Sequence, residues 1–335
     1  MVMKTYNIAV IPGDGIGPEC MSAAQMVLKT LVKKQQDFAL EFIEYHAGDD
    51  YKAKTGVALP PETIEGVQKA DATLFIAVGN TAKEVILPLR QMFNCYANLR
   101  PAKAYPGVKA IRSDINIMIV RENTECLYKM VGYQGDGWGV NLRIITREAS
   151  ERIVKYAFEW ALANNRKKVT AVHKANVLDF TDNVFLDASR KIAKQYPEIK
   201  YEEVIVDACA MKLVLAPEQF DVIVTTNMFG DILSDEVAGL VGGLGLAPSG
   251  NIGDKVSIFE PVHGSAPDIA GKNIANPTAT LLSSAMMLDW LGEKNAAKHL
   301  ENAIISVLKE AKTVTPDLGG KASTLDMAKA IADKL

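Results

Sequence analysis

The chain has 335 residues, 48% of them hydrophobic and 23% charged, and its 37 basic and 40 acidic side chains leave a formal charge of -3. That length suggests about two domains of ~150 residues and a core large enough to need no disulfide or metal support. The charge offers no basic field for a nucleic-acid backbone, the apolar runs are too short to span a bilayer, and four scattered cysteines make neither a CxxC pair nor a disulfide framework. Along the chain, short apolar runs alternate with longer amphipathic stretches. The first run, 8–11, reads as a buried strand with no signal-peptide pattern around it, so a cytoplasmic location is expected. Further strand-like runs fall at 40–45, 72–78, 115–120, 169–173, 201–206, 222–225 and 256–259. Helical patterns lie between them, as at 149–163, where Ile153, Val154, Ala157, Phe158 and Ala161 share one face. The alternation predicts an α/β architecture with sheets covered by helices. The segment 128–141 differs: Gly132, Gly135, Gly137 and Gly139 precede an alternating stretch at 140–145, which reads as an exposed hairpin or arm.

Five segments carry candidate chemistry. The first strand runs into Pro12-Gly13-Asp14-Gly15-Ile16-Gly17-Pro18-Glu19 and then a helical pattern. Amides at such a junction can face a carboxylate or phosphate, or the glycines can simply serve a tight turn. The spacing is GxGxG rather than GxGxxG, which argues against an ordinary Rossmann fold. Arg90, Arg100 and Arg121 would suit a di- or tricarboxylate if their forks converged, and would otherwise be surface residues. Asp231 and Asp235 stand four apart after an apolar strand; on a helix they form either a hard-cation site or a solvated acidic face. Lys174 closes another strand in His173-Lys174-Ala175-Asn176, where a lysine is either a general base or a surface residue. The turn 263–271, rich in small residues, allows close backbone approach to a nucleotide or is a plain loop.

Taken together, these segments resemble the isocitrate/3-isopropylmalate dehydrogenase family of β-decarboxylating dehydrogenases. The resemblance spans nearly the whole chain. It rests on the Pro-Gly-Asp-Gly-Ile-Gly-Pro-Glu start, the Leu89-Arg90 and Tyr96-Ala97-Asn98-Leu99-Arg100-Pro101 blocks, and Arg121-Glu122-Asn123-Thr124-Glu125 with Leu127-Tyr128. It continues through Lys174-Ala175-Asn176-Val177-Leu178, the run from Asn227 through Phe229-Gly230-Asp231-Ile232-Leu233-Ser234-Asp235, and Glu260-Pro261-Val262-His263-Gly264-Ser265-Ala266-Pro267-Asp268.

The resemblance implies the family's own α/β fold, with two domains flanking a central cleft. Residues 1–97 and 245–335 would form a discontinuous cofactor-binding domain, and 98–244 a smaller domain with the dimer interface and the Gly-rich arm. It implies that Arg90, Arg100 and Arg121 clamp the carboxylates of a malate core. Asp231 and Asp235, with Asp207 of a partner subunit, would hold Mg²⁺ or Mn²⁺. Lys174, also from the partner, would be the base and Tyr128 the acid, so a homodimer is the smallest catalytic unit. His263, Gly264, Ser265, Ala266, Asp268, Ile269 and Asn276 would line the cofactor site. Relatives using NADP⁺ carry Lys-Tyr where this chain has Asp268-Ile269, and a carboxylate there repels a 2′-phosphate, so NAD⁺ is expected.

For the substrate, isocitrate-using members place Ser and Asn where this chain has Glu84 and Ile86, with Leu87 next. A glutamate opposes a third carboxylate and aliphatic side chains favour an alkyl group, so 3-isopropylmalate is the first expectation. Two features run contrary. Lys83 could reach a longer carboxylate arm such as homoisocitrate's. The Arg-Glu-Asn-Thr-Glu form at 121–125 is typical of isocitrate, homoisocitrate and archaeal-type isopropylmalate enzymes rather than of common bacterial isopropylmalate enzymes. Cys126 replaces the family's usual glycine beside Tyr128, and Asn94-Cys95 replaces Asp-Leu; a buried, inert thiol is expected at 126. A non-catalytic regulatory subunit of a hetero-oligomeric isocitrate dehydrogenase is the alternative of a different class. Retention of Tyr128, Lys174, Asp207, Asp231 and Asp235 speaks against it.

Overall fold

The computed structural model describes residues 3–335. Its strands are β1 (Lys4–Gly13), β2 (Phe38–Glu44), β3 (Ala72–Ala77), β4 (Ala97–Lys103), β5 (Asn116–Glu122), β6 (Gly132–Gly135) and β7 (Trp138–Asn141). They continue as β8 (Lys168–His173), β9 (Lys200–Ile205), β10 (Val222–Thr225), β11 (Pro248–Ile252) and β12 (Ser257–Pro261). Ten of them form one sheet in the order β2-β1-β3-β12-β11-β4-β5-β10-β8-β9. Two parallel wings, β2-β1-β3-β12 and β5-β10-β8-β9, meet at β11 and β4, whose pairings with each other and with the flanking strands are antiparallel. The wings therefore run in opposite directions, unlike the strands of a doubly wound parallel sheet.

All eight apolar runs read from the sequence lie on strands of this sheet, and inner wing strands such as β3 and β10 are buried as parallel strands should be, while the edge strands β2 and β9 are partly exposed. The two strands at the centre carry no apolar run. β4 reads ANLRPAK and β11 reads PSGNI, with prolines and polar side chains that disfavour a strand in isolation. What holds them is tertiary: Asn98 Nδ2 donates to Asn251 Oδ1 at 3.0 Å between two wholly buried side chains.

The helix Arg147–Ala163 starts two residues before the expected pattern because Thr146 caps it, its hydroxyl accepting from the Ala149 amide at 3.2 Å. Ile153, Val154, Ala157, Phe158 and Ala161 are all buried on its inner face. The helix Thr278–Trp290 is buried almost all round, as its apolar and small residues require, and packs on β11 and β12. The Gly-rich segment is an exposed hairpin, although its position differs from the expected 140–145. It turns at Asp136-Gly137, Gly137 taking φ +72°, so β6 and β7 pair over Gly132–Gly135 and Trp138–Asn141, and Ile144 bridges back to Cys126. Among the described residues, no helix is long and apolar enough to cross a membrane.

Candidate active site

Three arginines from three elements converge. Arg90 stands on the helix Ile86–Met92, Arg100 on β4 and Arg121 on β5, and relative exposures of 8%, 7% and 1% leave each guanidinium buried. Buried forks need acceptors, and each has a dedicated one. Arg90 Nη2 donates to Glu260 Oε1 at 2.6 Å; Arg100 Nε donates to Asn98 Oδ1 and its Nη1 to Ser234 Oγ, both at 2.7 Å; Arg121 donates to Asn227 Oδ1 from Nε and Nη2 at 3.0 and 2.7 Å. Arg90 Nε is buried without any partner, a donor left for something besides protein.

Asp231 stands at the focus. It lies one turn before Asp235 on the helix Asn227–Val241, so both carboxylates share a face. Asp231 Oδ1 meets Arg121 Nη1 and, at 3.0 Å, Arg100 Nη1, while Oδ2 accepts from the Tyr128 hydroxyl. Asp235 Oδ1 lies 3.4 Å from Arg100 Nη1. Burial opposes ionisation of Asp231, but Arg121 and then Arg100 outweigh it and hold the group below the ordinary carboxylate range. Asp235 moves the other way: burial raises it against Arg100, with the Asp231 charge adding to the rise. Burial likewise holds the Tyr128 phenol above its ordinary value, against the opposing Arg121 charge, so it is protonated at neutral pH. Tyr128 follows Cys126, whose buried thiol accompanies φ +69°, ψ −145°, backbone that favours glycine and costs a side-chain residue about 1–3 kcal/mol.

The donors fit a hard divalent cation in chemistry, two carboxylates on one face with oxygens rather than sulfur or imidazole beside them. They do not complete its shell. Among the described residues, no three His, Cys, Asp or Glu side chains converge. Asp207 and Lys174 are placed elsewhere, paired with each other: Lys174 Nζ donates to Asp207 Oδ1 at 2.5 Å, with the Asp207 side chain 66% exposed. This second cluster shares no contact with Asp231 or Asp235 within one chain.

The specificity candidates divide. Glu84 is exposed and ion-paired to Lys52 Nζ at 2.7 Å, and Lys83 is exposed. Ile86 packs into the core with Phe75, Val85 and Leu89, whereas Leu87, next in the same helix, is half-buried.

The candidate cofactor loop is fastened to the first turn of the chain. Ile16 N–H donates to Ser265 O at 2.9 Å, and Glu19 accepts from the Asn273 and Ala275 amides at 3.2 and 3.1 Å. Asp14 accepts from the amides of Asp49, Asp50 and Gly79 at 2.8, 3.0 and 2.9 Å. The glycine-rich start is thus a tight turn that anchors the 263–276 loop. Gly264 and Asp268 are exposed, Ala266 takes φ +40°, Ile269 is half-buried, and Asn276 is held by Asp317 at 2.9 Å. His263 keeps its ring neutral through burial and leaves Nε2 buried without a partner, a polar atom consistent with a nucleotide lying against this loop. Gly15 has φ +61°, and a Cβ there would stand 1.9 Å from Ser265 O. Gly15→Ala is therefore expected to cost about 2–4 kcal/mol and to raise KM for the cofactor, read by thermal melts and initial rates; an unchanged Tm would contradict the anchoring.

Several residues that build the site are not legible as functional in the sequence: Asn98, Asn227, Ser234 and Glu260, which hold the arginines, and Asn251, which holds Asn98 and Glu260. Their one signal is that three buried guanidiniums require nearby acceptors, and a sequence does not say which arginines are buried.

A buried arginine cluster beside a carboxylate pair thus stands on a two-winged mixed sheet. The chain belongs to the isocitrate/isopropylmalate dehydrogenase family, whose model matches residues 7–331. It is 55% identical over 336 residues to a 3-isopropylmalate dehydrogenase of Methanothermobacter thermautotrophicus, covering 99% of each chain. It is 49% identical over 336 residues to an isocitrate/homoisocitrate dehydrogenase of Thermus thermophilus, covering 98% of each. Its fold matches the crystal structure of isocitrate dehydrogenase from Methylococcus capsulatus with a TM-score of 0.94 at 43% identity, over 98% of this chain and 99% of that one. The expected family and fold are both found, and the protein is an oxidoreductase by membership.

Proposed function

We propose that this chain is an NAD- and divalent-cation-dependent dehydrogenase that oxidatively decarboxylates a 3-substituted malate, with 3-isopropylmalate as the first substrate. The observation that carries the reading is the pairing of Arg100 and Arg121 with Asp231, with Arg90 close enough for its charge to act on that carboxylate and the protonated Tyr128 touching it. The arginines bind and orient the two malate carboxylates, which fixes the carbon between them for reaction. Asp231 and Asp235, with Asp207 of a second copy, would hold Mg²⁺ or Mn²⁺. Lys174 of that copy accepts the substrate hydroxyl proton, and the Tyr128 hydroxyl returns a proton to carbon after CO₂ leaves. When bound, the cation supplies Lewis acidity at the substrate oxygens and the nicotinamide takes the hydride. The cleft would lie between a domain of residues 1–97 and 245–335 and a smaller one of 98–244.

A homodimer is supported by the separation of the two clusters and by exposed apolar side chains. Tyr133, Trp138, Val140 and Leu142 project from the hairpin region, and Met211, Leu215 and Ile232 from the helices bearing Asp207 and Asp231.

The substrate choice is supported by relatives such as the 3-isopropylmalate dehydrogenase of Methanothermobacter and by the half-buried Leu87, three residues before Arg90. Glu84 adds less than its charge suggests, because Lys52 neutralises it. The test is NADH formation by the purified protein with Mn²⁺ or Mg²⁺ on 3-isopropylmalate, homoisocitrate, isocitrate, tartrate and malate. Preference for 3-isopropylmalate supports the apolar pocket. Preference for isocitrate or homoisocitrate transfers the distal contact to a cation such as Lys83, and cofactor binding without turnover of any substrate would fit a non-catalytic subunit.

Asp268 supports NAD⁺, its exposed carboxylate repelling a 2′-phosphate. Asp268→Lys is expected to shift the NADP⁺/NAD⁺ ratio of kcat/KM by about 100-fold, equivalent to ~2.7 kcal/mol. An unmoved ratio would remove Asp268 from the cofactor site.

A further inference from the structure

Lys174 is held at both ends: its side chain pairs with Asp207, and its backbone is fixed separately. Its carbonyl accepts from the amides of Val177 and Leu178 at 3.0 and 2.8 Å, and its own N–H donates to Asp182 Oδ2 at 2.6 Å. Asp182 is wholly buried in the first turns of the helix Asp179–Ala193. Its other oxygen, Oδ1, is ion-paired with Arg143 Nη1 and lies 3.3 Å from the Thr181 hydroxyl. Arg143 follows the hairpin in sequence. Its Nη1 also donates to Thr181 Oγ1 at 2.7 Å, its Nη2 donates to Thr226 Oγ1 at 2.9 Å, and its guanidinium carbon stands 5.0 Å from the centre of the Phe229 ring. Thr226 immediately precedes the helix Asn227–Val241, and Phe229 lies in its first turn. One buried ion pair thus joins the root of the hairpin, the loop bearing Lys174 and the helix bearing Asp231 and Asp235.

We propose that Asp182, with Arg143, is a positioning residue for Lys174. The pair fixes the lysine's backbone against the rigid helices of its own subunit, so only the lysine side chain is left to move when it reaches the cleft of the second copy. The inference rests on Lys174 being the proton-accepting group. A buried charge is retained at a cost, and here each oxygen has its own use: Oδ1 takes Arg143 and the Thr181 hydroxyl, and Oδ2 takes the Lys174 amide.

The test is a double-mutant cycle on the dimer, using the substrate that supports the fastest wild-type turnover. Asp182→Asn keeps the size of the side chain but removes the ion pair. Displacement of a reacting group by about 1 Å costs on the order of 100-fold, so kcat should fall about 30- to 100-fold with substrate and cofactor KM within about threefold. In a Lys174→Met background the same substitution should change the residual rate by less than about threefold, because the group it positions is gone. An equal loss in both backgrounds, or no loss in the wild type, overturns the proposal. If Lys174→Met alone retains full activity, the reading of Lys174 fails first and takes the proposal with it. Should Asp182→Asn not fold, Arg143→Lys decides: it leaves a cation on Asp182 but loses the fork to Thr226. A folded dimer with kcat down at least tenfold supports the proposal, and unchanged kcat overturns it.

Discussion

Asp231→Asn is expected to lower kcat/KM by about three orders of magnitude or more, since several kcal/mol of transition-state stabilisation are at stake and each 1.36 kcal/mol is tenfold. The carboxylate serves two buried guanidiniums and the Tyr128 hydroxyl with its two oxygens, and it is one of the two in-chain oxygen donors to the proposed cation. The amide keeps the size of the side chain and one acceptor oxygen but abolishes the negative charge. Arg100 and Arg121 then face each other without a compensating carboxylate, Asp235 being the more distant at 3.4 Å from Arg100. Because the Asp231 side chain is 37% exposed, the stability loss should reach only about 1–3 kcal/mol, below that for a fully buried pair. Excess Mn²⁺ should not restore the rate. Initial rates across a Mn²⁺ series, with thermal melts in parallel, decide the matter; activity within tenfold of wild type would remove Asp231 from the cation site.

Mixing two inactive variants is expected to restore turnover. Lys174→Met alone should reduce kcat by about 10²–10⁴, the usual contribution of a general base. Asp231 stands with Tyr128 in one cluster, whereas Lys174 pairs with Asp207 in another. If each cleft draws one cluster from each copy, a heterodimer of Lys174→Met and Asp231→Asn chains holds one site with both lesions and one with neither. Random reassociation makes about half the dimers mixed, so about a quarter of wild-type activity should return. Differently tagged chains, unfolded together, refolded and assayed, provide the measurement. Activity no greater than the sum of the two homodimers would mean that each cleft is built from a single chain.

How much of this molecule was legible in the sequence depends on which physical term shapes each part. The inner strands of the two wings are apolar because both faces are covered, and runs such as 72–78 and 222–225 announce themselves. β4 and β11 lie equally deep, yet their side chains are polar and satisfied by one another, so periodicity is blind to them. The hairpin was legible as an exposed Gly-rich arm; its register was not, because the Asp136-Gly137 turn, rather than the alternation further on, sets it. At the site, the arginines and carboxylates were readable as residue types, and the helical spacing of Asp231 and Asp235 followed from arithmetic. Burial was not readable, and burial decides which asparagines and which glutamate hold each arginine. Ile86 shows the same gap from the other side, an aliphatic residue adjacent to the clamp whose side chain packs into the core.

The central crossing of the sheet has a consequence for synthesis on the ribosome. β3 reads ATLFIA and completes its pairing on one side with β12, Thr73 opposite Ile258. At ~5–20 residues per second, the partner strand is made about 10–40 s after β3. Throughout that interval an uncharged, proline-free segment of high strand propensity presents an open edge, the composition most prone to pairing with another chain. The nascent polypeptide is therefore most exposed to aggregation in the middle of its translation, and holdase chaperones acting on the first half of the chain should govern the yield of soluble enzyme.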